Sequence, residues 1–196
     1  MTVIDNKYGW RTTVSEAWLL LPNDEIFVSG VLAGLREEND PILNQIADLI
    51  ETTRATTPHR VLGVHLARPL YDVDSVWVLQ VFPTVLQDEA TLTQVQQEFV
   101  TNFTQMLQQQ GAQGIQSDIQ EPLQNDHGVT FYPIYYLYHF PSGTYIVQLI
   151  YFFPTGTNHV AMSQYIFASE EQDQLGQYMD DPEWAEPMDN LETFTP

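Results

Sequence analysis

Short apolar runs separated by turn residues predict strands in the first part of the chain. Residues 17–21 form one such run, and Pro22-Asn23-Asp24 ends it with a turn signal. Residues 26–33 form a second apolar run and are predicted as a strand. Residues 60–66 and 75–82 are also predicted as strands, and the latter is apolar on both alternating faces, which is typical of a strand buried on both sides.

Two segments carry apolar residues at helical spacing instead. The first follows Asn39 and Asp40, either of which can cap a helix, and has Pro41 in its first turn. Its apolar positions are Ile42, Leu43, Ile46, Leu49 and Ile50. The second and longer segment covers residues 88–110 and ends at Gly111. Its apolar stripe consists of Leu92, Val95, Phe99, Phe103, Met106 and Leu107.

Strand-like segments rich in Tyr and Phe follow the long helix. Pro141-Ser142-Gly143 and Pro154-Thr155-Gly156 supply hairpin-type turns between them, and such turns join antiparallel neighbours. The sequence therefore predicts an α+β fold in which a curved antiparallel β-sheet packs against two main helices and an acidic C-terminal tail follows. The four segments are residues 114–119, 129–139, 144–153 and 159–167.

The composition changes after Ser169. Residues 170–196 contain nine Asp or Glu, three prolines and few aliphatic residues, and a short helix is predicted near residues 175–179. A segment of this composition buries little apolar surface by itself. We therefore expect a single α+β domain over residues 1–169 and a mobile acidic tail over residues 170–196.

The charge of the chain is strongly one-sided. Six Lys and Arg stand against 26 Asp and Glu, which gives a formal net charge of −20, and no Lys or Arg follows Arg68. Nucleic acids and anionic membranes are polyanions, so neither is expected to bind, and no membrane insertion is predicted. The expected partner is a protein with a basic surface.

The sequence contains none of the familiar catalytic or cofactor motifs. The absence of cysteine excludes disulfides and thiolate chemistry, and glycine-rich phosphate loops and the GxSxG serine frame are absent too. Asp72 and Asp74 lie two positions apart, without the spacing of an EF-hand, so neither a metal site nor a cofactor is predicted. The first ten residues lack the apolar stretch of a signal peptide, and a cytoplasmic location is expected.

The acidic tail supplies the candidate contacts with a partner. Asp180 and Asp181 form the centre of an acidic cluster, and the aromatic residues Trp184 and Phe194 lie in the same segment. Aromatic anchors concentrate binding energy at interfaces, and carboxylates attract a basic surface. These four residues are therefore predicted to bind the partner protein.

The order of the elements resembles the PsbP-like superfamily, which includes DcrB-like bacterial proteins and the Eag chaperones of type VI secretion. The resemblance covers roughly residues 60–169. It implies a partner-binding scaffold without a shared catalytic set, so no site residue is transferred from the family. The matching features are the strand at 75–82, the stripe of Leu92, Val95, Phe99 and Phe103, and the strands between 129 and 167.

These observations favour a non-enzymatic protein-binding or chaperone-like module with a strongly acidic surface, and a flat aromatic sheet face would also allow a homodimer. One alternative is a small hydrolase or isomerase that combines carboxylates with His127 or His139 in a pocket. A second alternative is a polyanionic mimic of nucleic acid. It needs carboxylates spaced along one face, which the Gln-rich helix at 88–110 does not supply.

Overall fold

A computed structural model describes residues 1–66, 73–86 and 89–196 of the chain. The helices are α1 (Glu25–Glu37), α2 (Pro41–Thr56), α3 (Glu89–Gln109), α4 (Gln172–Met179) and α5 (Glu186–Asp189), with a 3₁₀ turn at Pro182–Ala185 before α5. The strands are β1 (Thr2–Asp5), β2 (Trp10–Thr13), β3 (Trp18–Pro22), β4 (Val61–His65), β5 (Asp74–Val85), β6 (Gln113–Ile119), β7 (Leu123–Gln124), β8 (Thr130–His139), β9 (Tyr145–Pro154), β10 (His159–Ser169) and β11 (Glu192–Thr193).

The strands form one large and one small antiparallel sheet. The large sheet has the order β3-β4-β5-β10-β9-β8-β6, with β7 paired beside β6 on β8, and the small sheet has the order β1-β2-β11. The predicted α+β fold with an antiparallel sheet is confirmed. The strands predicted in the second half of the chain correspond to β6, β8, β9 and β10. The described residues contain three long helices, where the sequence predicted two.

The additional helix is α1, which replaces the strand predicted at residues 26–33. Asp24 caps this helix, because its Oδ1 accepts a hydrogen bond from the backbone N–H of Phe27 at 2.9 Å. A short apolar run is compatible with either a strand or a buried helix, and here the capping residue decides the outcome. The residues that face the sheet follow helical spacing, at Val28, Val31, Leu32 and Leu35.

The two predicted helices are confirmed as α2 and α3. Asp40 Oδ1 accepts hydrogen bonds from the backbone N–H groups of Ile42 and Leu43, at 2.7 and 3.3 Å. Gly111 adopts a φ of 84° and ends α3. Met106, predicted in the buried stripe of α3, is 39% exposed. Within the described ranges, no helix is long and apolar enough to cross a membrane.

The large sheet is covered on both faces. On the helix face, α1 and α2 pack over β3, β4 and β5, while α3 packs over β8, β9 and β10. The opposite face, here called the terminal face, carries large side chains such as Trp18, Trp77 and Tyr165. It is covered by the β1–β2 hairpin and by residues 170–196, so segments from both parts of the sequence share one core.

Residues 170–196 pack against the terminal face, which differs from the mobile tail expected from composition. Leu175, Tyr178 and Leu191 are 2%, 0% and 0% exposed, and they belong to the same hydrophobic core as Trp77. The hydroxyl of Thr12 donates to the backbone carbonyl of Pro187 at 2.7 Å. The apolar core therefore continues past Ser169, and the expected boundary between a domain and a tail does not coincide with a break in packing.

Candidate protein-binding site

The two aromatic residues predicted to bind a partner make contacts within the chain. Trp184 donates its indole N–H to the carbonyl of Met179 at 2.9 Å, and its ring packs edge-on against Tyr165, with centroids 5.2 Å apart. Phe194 donates its backbone N–H to the carbonyl of Gly9 at 2.9 Å. Both residues hold the C-terminal segment on the sheet, and both are only partly exposed.

The two acidic residues predicted beside them have separate environments. Asp180 follows α4 and is exposed. Asp181 caps the 3₁₀ turn, because its Oδ1 accepts a hydrogen bond from the backbone N–H of Glu183 at 3.0 Å. The structure thus gives Asp181 a structural role and leaves Asp180 on the surface of the docked segment.

A buried histidine that the sequence did not single out lies beneath this segment. His65 on β4 has its ring Nδ1 2.5 Å from the hydroxyl of Tyr178 and its ring centroid 4.9 Å from that of Trp18. Within the described residues, its Nε2 has no hydrogen-bond partner, and a carboxylate oxygen of Glu183 lies 4.0 Å away.

Burial controls the protonation of His65. It lowers the pKa of the imidazole from 6.5 to about 4, although the negative charges of Asp181 and Glu186 act in the opposite direction. His65 is therefore neutral at physiological pH. Its side chain is fully enclosed, which suits a role in joining β4 to α4 more than one as an accessible general base.

The histidines of the enzyme alternative lie far from each other. His127 is exposed in the turn before β8, where its backbone N–H donates to Asn125 Oδ1 at 3.1 Å. His139 ends β8, half-buried beside the ring of Tyr145. An extended strand advances about 3.3 Å per residue, so the length of β8 separates the two rings by roughly 30 Å. They do not share a site.

Metal binding finds no support in the part of the chain that the structure describes. No group of three or more His, Asp or Glu side chains in that part is arranged to hold a metal ion. Asp72, one of the two carboxylates considered from the sequence, lies outside the described residues, and Asp74 begins β5.

A groove with partly exposed apolar side chains lies on the terminal face. The C-terminal segment covers the middle of the sheet, but Tyr135 on β8 and Leu149 on β9 stay partly exposed beside it. These two residues lie directly opposite each other in the register of the sheet, and Pro133 is opposite Tyr151 in the same way. The groove has a volume of about 450 Å³. It is lined by Gln120, Glu121, Leu123, Pro133, Ile134, Tyr135, Leu149 and Tyr151.

The rim of the groove is acidic. Glu121 belongs to its lining, and Asp118 on β6 lies opposite Tyr135 in the register, so both side chains project from the same face. Asp189 on α5 has its pKa raised by burial and by the charges of Asp126 and Glu186, which indicates that these carboxylates lie close together.

The tyrosines of the groove keep their protons at neutral pH. Burial and the charge of Asp189 raise the pKa of Tyr151 to about 12, and burial raises the pKa of Tyr135 as well. Within the described ranges, neither hydroxyl makes a hydrogen bond to this chain. Both are therefore available as donors to a molecule in the groove, and tyrosine combines such a polar group with a large apolar ring.

Comparisons with known proteins give a similarity of shape. No protein-family model matches the chain, and no characterised protein matches it by sequence. The structure is similar to the solution structure of cyanobacterial PsbP (CyanoP) from Synechocystis sp. PCC 6803, with 10% sequence identity, 99% of this chain and 92% of that chain covered, and a TM-score of 0.48. This similarity concerns the backbone arrangement alone. It does not confirm the resemblance to DcrB-like proteins or Eag chaperones.

Proposed function

We propose that this protein is a non-enzymatic protein-binding module whose groove on the terminal face takes an apolar segment flanked by basic residues. The observation that supports the proposal most directly is the partly exposed pair of Tyr135 and Leu149 in the groove of about 450 Å³. Aromatic residues such as tyrosine are enriched at the centres of protein interfaces.

The charge of the groove determines which partner fits. Asp118 and Glu121 line its rim, and the whole chain carries a net charge of −20 with no Lys or Arg after Arg68. A segment with Lys or Arg on either side of its apolar residues matches this pattern, whereas an acidic segment is repelled. Shielding the apolar residues of such a segment is also what a chaperone-like role requires.

The residues that the sequence predicted to bind a partner have different roles in this proposal. Trp184 and Phe194 help to hold the C-terminal segment, which packs on the same face of the sheet as the groove. Asp180 is exposed and adds to the acidic surface on the same side of the sheet. The partner is thus expected to contact the strands first and the C-terminal segment second.

The test begins with affinity capture from the source cells and continues with the identified, purified partner. Binding is measured by calorimetry for the wild type and for Leu123→Glu, which changes a groove residue that is 44% exposed. Met106→Glu is the matched control, because Met106 is 39% exposed on α3 at the other face. We expect Leu123→Glu to weaken binding at least tenfold and Met106→Glu to leave it unchanged.

The charge contribution is tested with Glu121→Gln. We expect weaker binding and a smaller dependence on salt, because the variant removes one attractive charge from the rim. Equal affinities for the wild type and Leu123→Glu would show that the partner binds outside the groove. Failure of every captured protein to bind in purified form would remove the basis for a protein-binding module.

A further inference from the structure

The outer face of α1 is apolar and exposed. Ile26 is 88% exposed and Phe27 is 43% exposed, although both are large hydrophobic side chains. The ten residues 26–35 include no charged residue. Surface helices normally carry polar residues on the side turned to water, and a helix that is apolar all round is normally buried. The sequence of α1 is therefore that of a helix with a second covering layer.

The inner face of α1 already has its partners. Val28 is fully buried, and Val31, Leu32 and Leu35 pack partly buried in the same cluster over the sheet. Ile26, Gly30, Ala33 and Gly34 are all exposed on the opposite side. Their spacing of three and four residues places them along one line of the helix. The exposed line is thus a continuous surface, with a large side chain at one end and small residues beyond it.

The two glycines of this surface have no explanation within the chain. In the described part of the structure, a Cβ added to Gly30 or Gly34 would meet no atom within 4 Å, and both have ordinary helical backbone angles. Glycine inside a helix costs about 0.8–1 kcal/mol relative to alanine. A flat surface that allows another helix to approach closely offsets this cost only when the second helix is present.

We infer that α1 packs antiparallel against α1 of a second copy of this chain, about a two-fold axis at Gly30. In this arrangement Ile26 lies opposite Gly34 of the other copy, because these residues are four positions before and after Gly30. Phe27 lies opposite Ala33 by the same symmetry. Each large side chain meets a small one, which is the self-complementarity that a two-fold interface requires. The antiparallel direction also places the two helix dipoles favourably.

Charge supports a second copy as the occupant. Asp24 and Arg36 are six positions before and after Gly30, so Asp24 of one copy approaches the end of α1 where Arg36 of the other copy lies. Arg36 already pairs with Asp48 and Glu51 of its own chain, at 2.9 and 2.8 Å. Each copy carries a net charge of −20, so contacts through most of the surface are repulsive. Residues 26–35 are uncharged, so a contact through them has the least electrostatic repulsion. This interface lies on the helix face, so it is independent of the groove on the terminal face.

Sedimentation velocity over a range of protein concentrations tests the dimer. We expect the wild type to associate reversibly and Ile26→Glu to remain monomeric with an unchanged circular dichroism spectrum. Ile42→Glu is the matched control, because Ile42 is 39% exposed at the start of α2, away from the proposed axis, and this variant is expected to dimerise normally. Higher salt is expected to strengthen the dimer by screening the repulsion, opposite to its effect on a basic partner in the groove.

A second test uses the absence of cysteine from the chain. Gly30→Cys places one thiol on the proposed axis, so mild oxidation is expected to give a disulfide-linked dimer rapidly. Ser142→Cys, in the turn between β8 and β9, is the control and is expected to cross-link slowly. A wild type that is monomeric at every concentration, or equal cross-linking of both variants, overturns the inference. Binding of the monomer to neutral phospholipid vesicles through Ile26 would assign the face to a membrane surface instead.

Discussion

The Nδ1 atom of His65 and the hydroxyl oxygen of Tyr178 lie 2.5 Å apart in the core, although 113 positions separate the two residues in the sequence. His65 belongs to β4 near the edge of the large sheet, and Tyr178 belongs to α4 in the acidic C-terminal segment. Because both groups are buried, loss of either partner leaves a polar atom without its hydrogen bond. This pair joins the segment to the sheet.

Acid is expected to weaken this connection. The pKa of His65 is about 4 in the folded chain, against 6.5 for an unperturbed histidine. Between these values the unfolded chain binds a proton that the folded chain excludes, so the free energy of unfolding falls as the pH is lowered, by up to about 1.4 kcal/mol per pH unit. Urea unfolding between pH 7 and pH 4 measures the slope. His65→Gln should have a smaller slope, and an identical one would show that carboxylates alone cause the effect.

Removal of the C-terminal segment is expected to unfold or aggregate the protein. Ending the chain at Ser169 exposes Trp77, Tyr165 and Phe167, which are each 0% exposed when residues 170–196 are present. A milder variant, Leu175→Ala, should lower the free energy of unfolding by about 2–5 kcal/mol because it leaves a cavity. Limited proteolysis gives an independent readout, and a stable fragment that ends near Ser169 would contradict the prediction.

The buried face of α3 can be tested with one pair of substitutions. The ring of Phe99 packs against Phe103 and Phe152, with centroid distances of 5.1 and 5.4 Å. Phe99→Asp should therefore reduce stability by about 2–4 kcal/mol, because it removes these contacts and desolvates a charge. Met106→Asp on the same helix changes an exposed side chain and should have little effect. Equal melting temperatures for the two variants would show that the face of α3 that carries Phe99 does not pack on the sheet.

Gly156 is expected to tolerate no larger residue. A Cβ at this position would collide with the backbone carbonyl of Phe194, whereas a Cβ on Gly176 in α4 would meet no atom within 4 Å in the described part of the structure. Gly156→Ala should therefore destabilise the protein by about 1–3 kcal/mol. Gly176→Ala should stabilise it by up to about 1 kcal/mol through helix propensity. Thermal unfolding of both variants checks the opposite signs, and a shift in the same direction would argue against this contact.

The sequence predicted most of the strands because they alternate with clear turn residues. It also predicted α2 and α3, where Asp40 and Gly111 mark helix ends and the apolar residues recur at helical spacing. It failed for α1, because residues 26–35 are apolar on all sides and show no contrast between faces. The apolar residues on the outer side of α1 thus prevented its prediction as a helix, and Ile26 is one of these exposed residues.

Composition averages over positions, so it did not reveal how the C-terminal segment packs. Nine acidic residues dominate residues 170–196, yet Leu175, Tyr178 and Leu191 are spaced so that they reach the terminal face. The sequence could not predict the groove either, because the groove depends on long-range contacts. Which of the many aromatic residues on β8 and β9 stay uncovered depends on where this segment crosses the sheet, and that contact joins residues distant in sequence.

The small sheet makes the order of synthesis important. β2 pairs with β11, and the guanidinium Nη2 of Arg11 on β2 donates a hydrogen bond to Oε2 of Glu192 on β11 at 2.6 Å. These two residues are 181 positions apart in the sequence. A ribosome adding about 5–20 residues per second makes β11 some 10–40 s after β2. In the last few seconds of that interval, after β10 has been made, Trp77 and Tyr165 have only part of their cover. Nascent chains therefore present an aromatic surface to the cell until the acidic segment emerges and docks on it.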